Sequence, residues 1–265
     1  MKRTTIRDIQ MLKDKGEKIA VLTAYDHPSA KLLDAAGVEV LLVGDSLGMV
    51  VLGYENTLPV TMEDMLHHVK AVARARPRAM VVADMPFLSY QLDAAEAARN
   101  AGRLVQEGGA DAVKLEGGVD MVPAVEAILR ASIPVMGHVG LTPQSVLAFG
   151  GYRVQGRGAD AGARVTADAL ALQEAGCFAI VLEGVPAELG RTVTGKLRIP
   201  TIGIGAGPGC DGQVLVYHDF LDIHSEFAPK FVRRYAEVGR VTREAAEKYV
   251  KDVKSGRFPG AEESY

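Results

Sequence analysis

Short apolar runs rich in β-branched residues alternate along the whole chain with longer segments whose apolar residues recur every three or four positions. The short runs predict strands at residues 19–24, 38–43, 79–83, 112–115, 133–137, 179–182 and 201–204, with a weaker eighth near 227–232. Several of them, such as Val40-Leu41-Leu42-Val43, are apolar throughout, as strands covered on both faces must be. The longer segments predict helices at 29–36, 62–75, 94–107, 121–130, 161–175 and 187–196, most of them closed by glycine or a short polar turn. Residues 6–13 predict an added N-terminal helix covering one end of the fold, and 242–254 a final helix with a frayed acidic tail. A repeated strand, turn and helix means a parallel sheet under helices. Eight such repeats fit a closed (β/α)8 TIM barrel of ~250 residues better than the doubly wound open sheet, which length alone does not exclude.

Composition narrows this to one body. With 265 residues, 48% of them hydrophobic, and no low-complexity tract, the chain has material for one large core, so a single barrel domain over 1–265 is expected. The cysteines, Cys177 and Cys210, are too few for a disulfide framework and lack the CxxC spacing of a zinc site, which fits a reducing cytoplasm. The first 18 residues mix charged and apolar positions without the apolar centre of a signal peptide. No later run approaches the ~20 apolar residues of a membrane span. A soluble, cytoplasmic protein without membrane partners is expected. Its 30 basic and 33 acidic residues are scattered, giving a net charge of −3 with no basic stripe, and tryptophan is absent. Both the phosphate contacts and the stacking platforms of a nucleic-acid binder are therefore missing.

Ionisable residues recur at one place in the repeat, the C-terminal end of a strand. Asp45 follows Val43-Gly44, Asp84 follows Val82-Ala83, Lys114 and Glu116 flank Leu115, His138 follows Met136-Gly137, and Glu183 follows Val181-Leu182. In a barrel these positions converge on one mouth, where barrel enzymes carry their chemistry. Taken singly, Asp45 and Asp84 read equally well as helix N-caps, Lys114 and Glu116 as an ion pair on one strand face, and His138 as a hydrogen-bonded wall residue. His67 and His68 read as surface or packing residues. Acidic groups gathered without a Cys or His cluster would suit a hard divalent cation such as Mg²⁺, leaving positions open for a bidentate 2-oxo acid. The run Gly203-Ile204-Gly205-Ala206-Gly207-Pro208-Gly209 fails the dinucleotide pattern and reads as a tight turn with close backbone approach. Residues 140–158, long and polar with Gly150-Gly151 and Gly156 as hinges, suit either a lid over the mouth or a plain connection.

At these residues the sequence resembles the ketopantoate hydroxymethyltransferase family, over nearly its whole length. The resemblance rests on Thr23-Ala24-Tyr25-Asp26, Val43-Gly44-Asp45-Ser46-Leu47-Gly48-Met49, Thr57-Leu58-Pro59-Val60-Thr61 and Ala83-Asp84-Met85-Pro86-Phe87. It continues through Val113-Lys114-Leu115-Glu116-Gly117-Gly118, Gly137-His138-Val139-Gly140-Leu141-Thr142-Pro143-Gln144-Ser145, the 150–157 loop and Gly203-Ile204-Gly205-Ala206-Gly207. Arg153 stands where lysine is equally expected, and Gly184 where relatives also carry cysteine. The resemblance implies Asp45 and Asp84 as Mg²⁺ ligands that also border the substrate, with Glu116 as a further ligand, direct or through water. It implies Ser46 and Lys114 on the carboxylate or ketone oxygen of a 2-oxo acid, and Glu183 as the proton acceptor. It further implies 5,10-methylenetetrahydrofolate as one-carbon donor, 3-methyl-2-oxobutanoate as acceptor, a homodecamer, and a place in pantothenate biosynthesis.

Two other readings compete. A lyase or mutase of the phosphoenolpyruvate mutase and isocitrate lyase type would use the same fold, Mg²⁺ and a 2-oxo acid, but the cysteine motif that such enzymes carry after a strand is not found. A non-catalytic barrel that binds a small acid is the other, and the retention of every expected ligand and of the base argues against it.

Overall fold

The structure is a computed structural model that describes residues 3–223 and 229–265. The strands are β1 (Ile19–Thr23), β2 (Val40–Val43), β3 (Met80–Asp84), β4 (Ala112–Glu116), β5 (Val135–Gly140), β6 (Ala179–Glu183), β7 (Thr201–Ile204) and β8 (Gly212–Leu215). Each is parallel to the next, and β8 pairs with β1 to close the barrel, with Ile19 opposite Gly212. The (β/α)8 class expected from the repeat is thus observed, and the open sheet is not.

Three of the helices between strands begin where a side chain caps them. Asp26 and Asp93 each accept a backbone N–H in the first turn of His27–Ala35 and Ala94–Gln106, and Thr61 with Asp64 forms a capping box at Met62–Ala73. The leading helix, Ile6–Lys15, starts on the Thr5/Asp8 capping box and ends on Gly16 in the left-handed region. Its Ile9 is fully buried among Ile19, Val40, Met80, Ala112 and Ala179, the first inward positions of their strands, so this helix plugs the N-terminal end of the barrel.

The interior follows from the two-residue period of a strand. Ile19 and Val21, Val40 and Leu42, Met80 and Val82, Ala112, Met136, Ala179 and Val181, Ile202 and Val214 form one buried cluster. Continuing the same alternation toward the C-terminal ends brings in Thr23, Asp84, Lys114, Glu116, His138 and Glu183. The layer directly above the hydrocarbon core is therefore polar and charged.

The eighth strand differs from expectation. It lies at Gly212–Leu215, not near 227–232; residues 227 and 228 fall outside the described residues, and 229–232 form a turn in which the Val232 N–H donates to Pro229 O. Its sequence, Gly-Gln-Val-Leu, carries one fully inward apolar residue, Val214, so its hydrophobic signal is faint. Closure selects it, because Gly212 lies so close to Ile19 O across the β8/β1 seam that any Cβ there would collide.

The residues cluster in two compact units, Met1–Val216 and Tyr217–Tyr265. The first contains the whole barrel. The second contains the short helix Tyr217–Phe220 and the long helix Val238–Lys254, joined within the unit by backbone bonds such as Val238 N–H to Leu221 O. Among the described residues no helix is long and apolar enough to cross a membrane.

Candidate active site

The β3–β4–β5 register places the charged residues beside one another. Asp84 lies opposite Lys114, and Glu116 opposite His138. The side chains meet accordingly: Lys114 Nζ stands 3.1 Å from Asp84 Oδ1 and 3.8 Å from Glu116 Oε1, all of them about 4% exposed or less. Asp45 joins from the end of β2, its backbone N–H donating to Asp84 Oδ2 at 3.0 Å. Gly44 makes this turn feasible, since a Cβ there would sit 2.8 Å from Ser46 Oγ and 3.5 Å from Asp84 Oδ2. Ser46 Oγ shares a 2.8 Å hydrogen bond with Tyr25 OH.

His138 links this group to Glu183. Its Nδ1 is 3.1 Å from Lys114 Nζ and 3.5 Å from Glu116 Oε1, while its Nε2 is 3.2 Å from Glu183 Oε2. Burial and the Lys114 charge oppose protonation of the ring, but the carboxylates of Glu116 and Glu183 outweigh them and push the imidazole up to about 9. In either state Nε2 carries its hydrogen toward Glu183. A charged ring is protonated on both nitrogens, and in a neutral ring the ammonium of Lys114, a donor only, claims Nδ1.

The electrostatics are those of an overfilled anionic site. Burial, then the charges of Asp84 and Glu116, raise Asp45 well above the usual carboxylate range, and burial raises Asp84 despite the opposing Lys114. Glu116 goes the other way: burial opposes ionisation, but the hydrogen bond and charge of His138, then Lys114, hold it low. For Lys114 burial alone would favour the neutral amine, yet the charges of Asp84, Glu116 and Asp45 keep it an ammonium.

Sequence reasoning passed over the polar frame around these residues. Gln144, fully inside, donates from Nε2 to Asp45 Oδ2 at 2.8 Å and from its backbone N–H to Glu116 Oε2 at 2.9 Å. Tyr90 OH contacts Gln144 Oε1 at 2.7 Å and accepts the Glu116 N–H at 3.0 Å. Both residues lie on loops beyond strand ends, and a lone Gln or Tyr there carries no periodic signal. His138, read as a wall residue, proves to bridge Lys114, Glu116 and Glu183.

Residues 140–158 form a short 3-10 turn at Pro143–Ser145 and a helix at Val146–Phe149. Gln155 N–H then donates to Gly184 O, next to Glu183. Partial burial, then the charges of Asp45, Glu183 and Glu116, raise the Tyr152 phenol, whose hydroxyl donates to Met49 Sδ at 3.6 Å. At the 203–209 turn a Cβ on Gly207, whose φ is 78°, would collide with Ala187, so backbone does approach closely there. His67 is exposed, and His68 Nδ1 bonds to Tyr25 O at 2.7 Å, away from the acids.

Two buried atoms of the mouth rest on charged contacts, Asp84 Oδ1 on Lys114 Nζ at 3.1 Å and His138 Nε2 on Glu183 Oε2 at 3.2 Å. Three buried carboxylates, Asp45, Asp84 and Glu116, with no thiolate nearby fit a hard cation that prefers oxygen ligands. Among the described residues no three His, Cys, Asp or Glu side chains form a ready-made metal cage. Such an open arrangement suits Mg²⁺, which keeps several waters and takes one or two carboxylates.

Comparison with known proteins identifies relatives of the chain. A family model described as ketopantoate hydroxymethyltransferase matches residues 3–261. The chain is 60% identical over 263 residues to the 3-methyl-2-oxobutanoate hydroxymethyltransferase of Moorella thermoacetica, covering 99% of this chain and 98% of that one. It is 59% identical over 264 residues to the Trichlorobacter lovleyi protein of the same name, covering 100% and 99% of the two chains. Among solved structures, 2,3-dimethylmalate lyase, a PEP mutase/isocitrate lyase superfamily member, superposes with a TM-score of 0.63 at 18% identity, covering 100% of this chain and 89% of that one. Phosphonopyruvate hydrolase in complex with oxalate and Mg²⁺ does so at 0.63 and 14%, covering 99% and 93%. At such identities these two show the shared fold.

Proposed function

We start from the fact that the chain belongs to the ketopantoate hydroxymethyltransferase family and propose that it moves a hydroxymethyl group from 5,10-methylenetetrahydrofolate to 3-methyl-2-oxobutanoate. The product is 2-dehydropantoate, and the setting is cytoplasmic pantothenate biosynthesis, in the homodecamer that the resemblance implies. The observation that carries the reading is the convergence of Asp45, Asp84, Lys114, Glu116, His138 and Glu183 on one barrel mouth, the last five in contact through their side chains and Asp45 joined by its backbone N–H to Asp84.

Asp45 and Asp84 would hold Mg²⁺ at the edge of the substrate, with Glu116 as a further ligand, direct or through water. The bound ion supplies Lewis-acid stabilisation of negative charge on the ketone oxygen. Lys114, held as an ammonium, adds a fixed positive charge and with Ser46 Oγ anchors the carboxylate or ketone oxygen. Glu183 accepts the C3 proton, and C3 bonds to the methylene carbon of the folate as one of its two C–N bonds breaks. Water then replaces the second folate nitrogen on that carbon, and the two nitrogens leave as N–H of tetrahydrofolate, one carrying the proton returned by Glu183 and the other a proton of the water. His138 Nε2–H faces Glu183 and steers its carboxylate. The separation of labour has a physical reason. A carboxylate that ligates a cation has its oxygen lone pairs committed, whereas Glu183 is oriented through Oε2 by His138 and its side chain is still 15% exposed.

The test is proton NMR of 3-methyl-2-oxobutanoate in D₂O with the protein and Mg²⁺ but no folate. The C3 proton signal is expected to disappear, to persist when the protein is exhaustively chelated, and to be lost again on adding Mg²⁺. Undiminished exchange and product formation after chelation would remove the cation from the reading.

A further inference from the structure

We infer that Gln144 is the positioning residue of the cation site: its side chain and its backbone N–H together hold Asp45 and Glu116 in place before any cation arrives. The inference rests on the cation reading above. Gln144 sits in the 3-10 turn Pro143–Ser145 beyond β5 and is buried. It touches two of the three acids from one point, although 99 residues separate it from Asp45 and 28 from Glu116.

Its amide is locked in one orientation. Nε2 donates to Asp45 Oδ2 at 2.8 Å and to Met85 O at 3.0 Å, and a backbone carbonyl can only accept. Oε1 receives Tyr90 OH at 2.7 Å and Gln91 Nε2 at 3.0 Å. A flipped amide would press its oxygen against a carboxylate and a carbonyl, both acceptors, inside a buried site, where lost hydrogen bonds are costly. Tyr90 is fixed in turn. Its oxygen accepts the Glu116 N–H at 3.0 Å, and its single hydrogen has two acceptors in reach, Glu116 O at 3.0 Å and Gln144 Oε1 at 2.7 Å. The shorter bond to Gln144 keeps the amide oxygen occupied and the amide nitrogen on Asp45.

The consequence is preorganisation. Buried carboxylates that repel one another would rotate apart in the empty site, each seeking a donor of its own. Gln144 ties one oxygen of Asp45 and one of Glu116 to a rigid frame, while Glu116 Oε1 is left facing Lys114 and His138. Outer residues that orient metal ligands in this way typically contribute ~10–100-fold to metal affinity.

The experiment uses the full chain, Mn²⁺ as probe, and no substrate, with free Mn²⁺ counted by electron paramagnetic resonance. Gln144→Met, which keeps the volume and removes both polar ends, is expected to raise the Mn²⁺ Kd by ~10–100-fold. Tyr90→Phe frees the amide and is expected to raise it in the same direction but less. In the Gln144→Met background Tyr90→Phe should add less than it does alone, because the part of its effect that passes through the amide is already lost and only the Glu116 N–H contact remains to lose. Variants that bind Mn²⁺ with the wild-type Kd while their chelated forms melt earlier would show a structural role only and overturn the inference. Should Gln144→Met fail to fold, Tyr90→Phe decides alone, an unchanged Kd overturning the inference. A wild-type protein that binds no Mn²⁺ would instead bring down the cation reading itself, and the inference with it.

Discussion

Glu183→Gln separates the chemistry of the mouth from its architecture. The carboxylate touches His138 Nε2 at 3.2 Å, and its side chain is 15% exposed. Glutamine has the same length, and its Oε1 can accept from the same Nε2–H, so the variant loses charge but keeps the contact. Replacing one such interaction costs about 1 kcal/mol, which lowers the melting temperature of a chain this size by ~2–4 °C. The kinetic cost is of another order. Removing a general base slows proton transfer at least ~100-fold, which corresponds to about 2.7 kcal/mol at 1.36 kcal/mol per decade. The assay is deuterium incorporation at C3 of 3-methyl-2-oxobutanoate with Mg²⁺ and without folate, run beside Mn²⁺ binding and thermal melting on the same samples. The expected pattern is exchange reduced at least a hundredfold, cation binding unchanged, and melting nearly so. Exchange at the wild-type rate together with lost product formation would refute the assignment and move Glu183 to the folate half of the reaction.

Two further outcomes are expected. Ile9→Ala empties a fully buried position in the plug at the N-terminal end of the barrel, so it should cost ~2–5 kcal/mol of stability while leaving kcat and KM intact; normal melting with impaired turnover would contradict the division between a stabilising face and a reactive one. The second concerns pH. Burial, followed by the charges of Asp84 and Glu116, raises Asp45 above its ordinary 3.8, so the folded state binds this proton more tightly than the unfolded state does. The stability it contributes is complete below about 3.8 and is lost as pH rises through the folded value. Chelated Asp45→Asn, with no charge to bury, should therefore gain melting temperature relative to wild type as pH increases over that window; a difference that stays constant with pH would refute it.

What the chain declares locally is what repeats or alternates. The march of apolar strands and amphipathic helices, Val40-Leu41-Leu42-Val43 among them, is a property of neighbours a few residues apart, so it survives in the sequence and specifies the barrel. The charged residues at strand ends are legible for the same reason: Asp84, Lys114, Glu116, His138 and Glu183 stand in phase with the core residues Val82, Ala112, Met136 and Val181 that precede them, so the two-residue period sends them inward one layer higher. Closure and register decide the rest. β8 is a strand because Gly212 can approach Ile19 across the seam, a condition invisible in Gly-Gln-Val-Leu itself. His138 meets Glu183, Tyr90 meets Glu116 and Gln144 reaches Asp45 over separations of up to 99 residues. Such contacts exist only once eight strands share one axis, because a hydrogen bond depends on two groups arriving within about 3 Å at a workable angle, and no pattern confined to either segment encodes where the other will be.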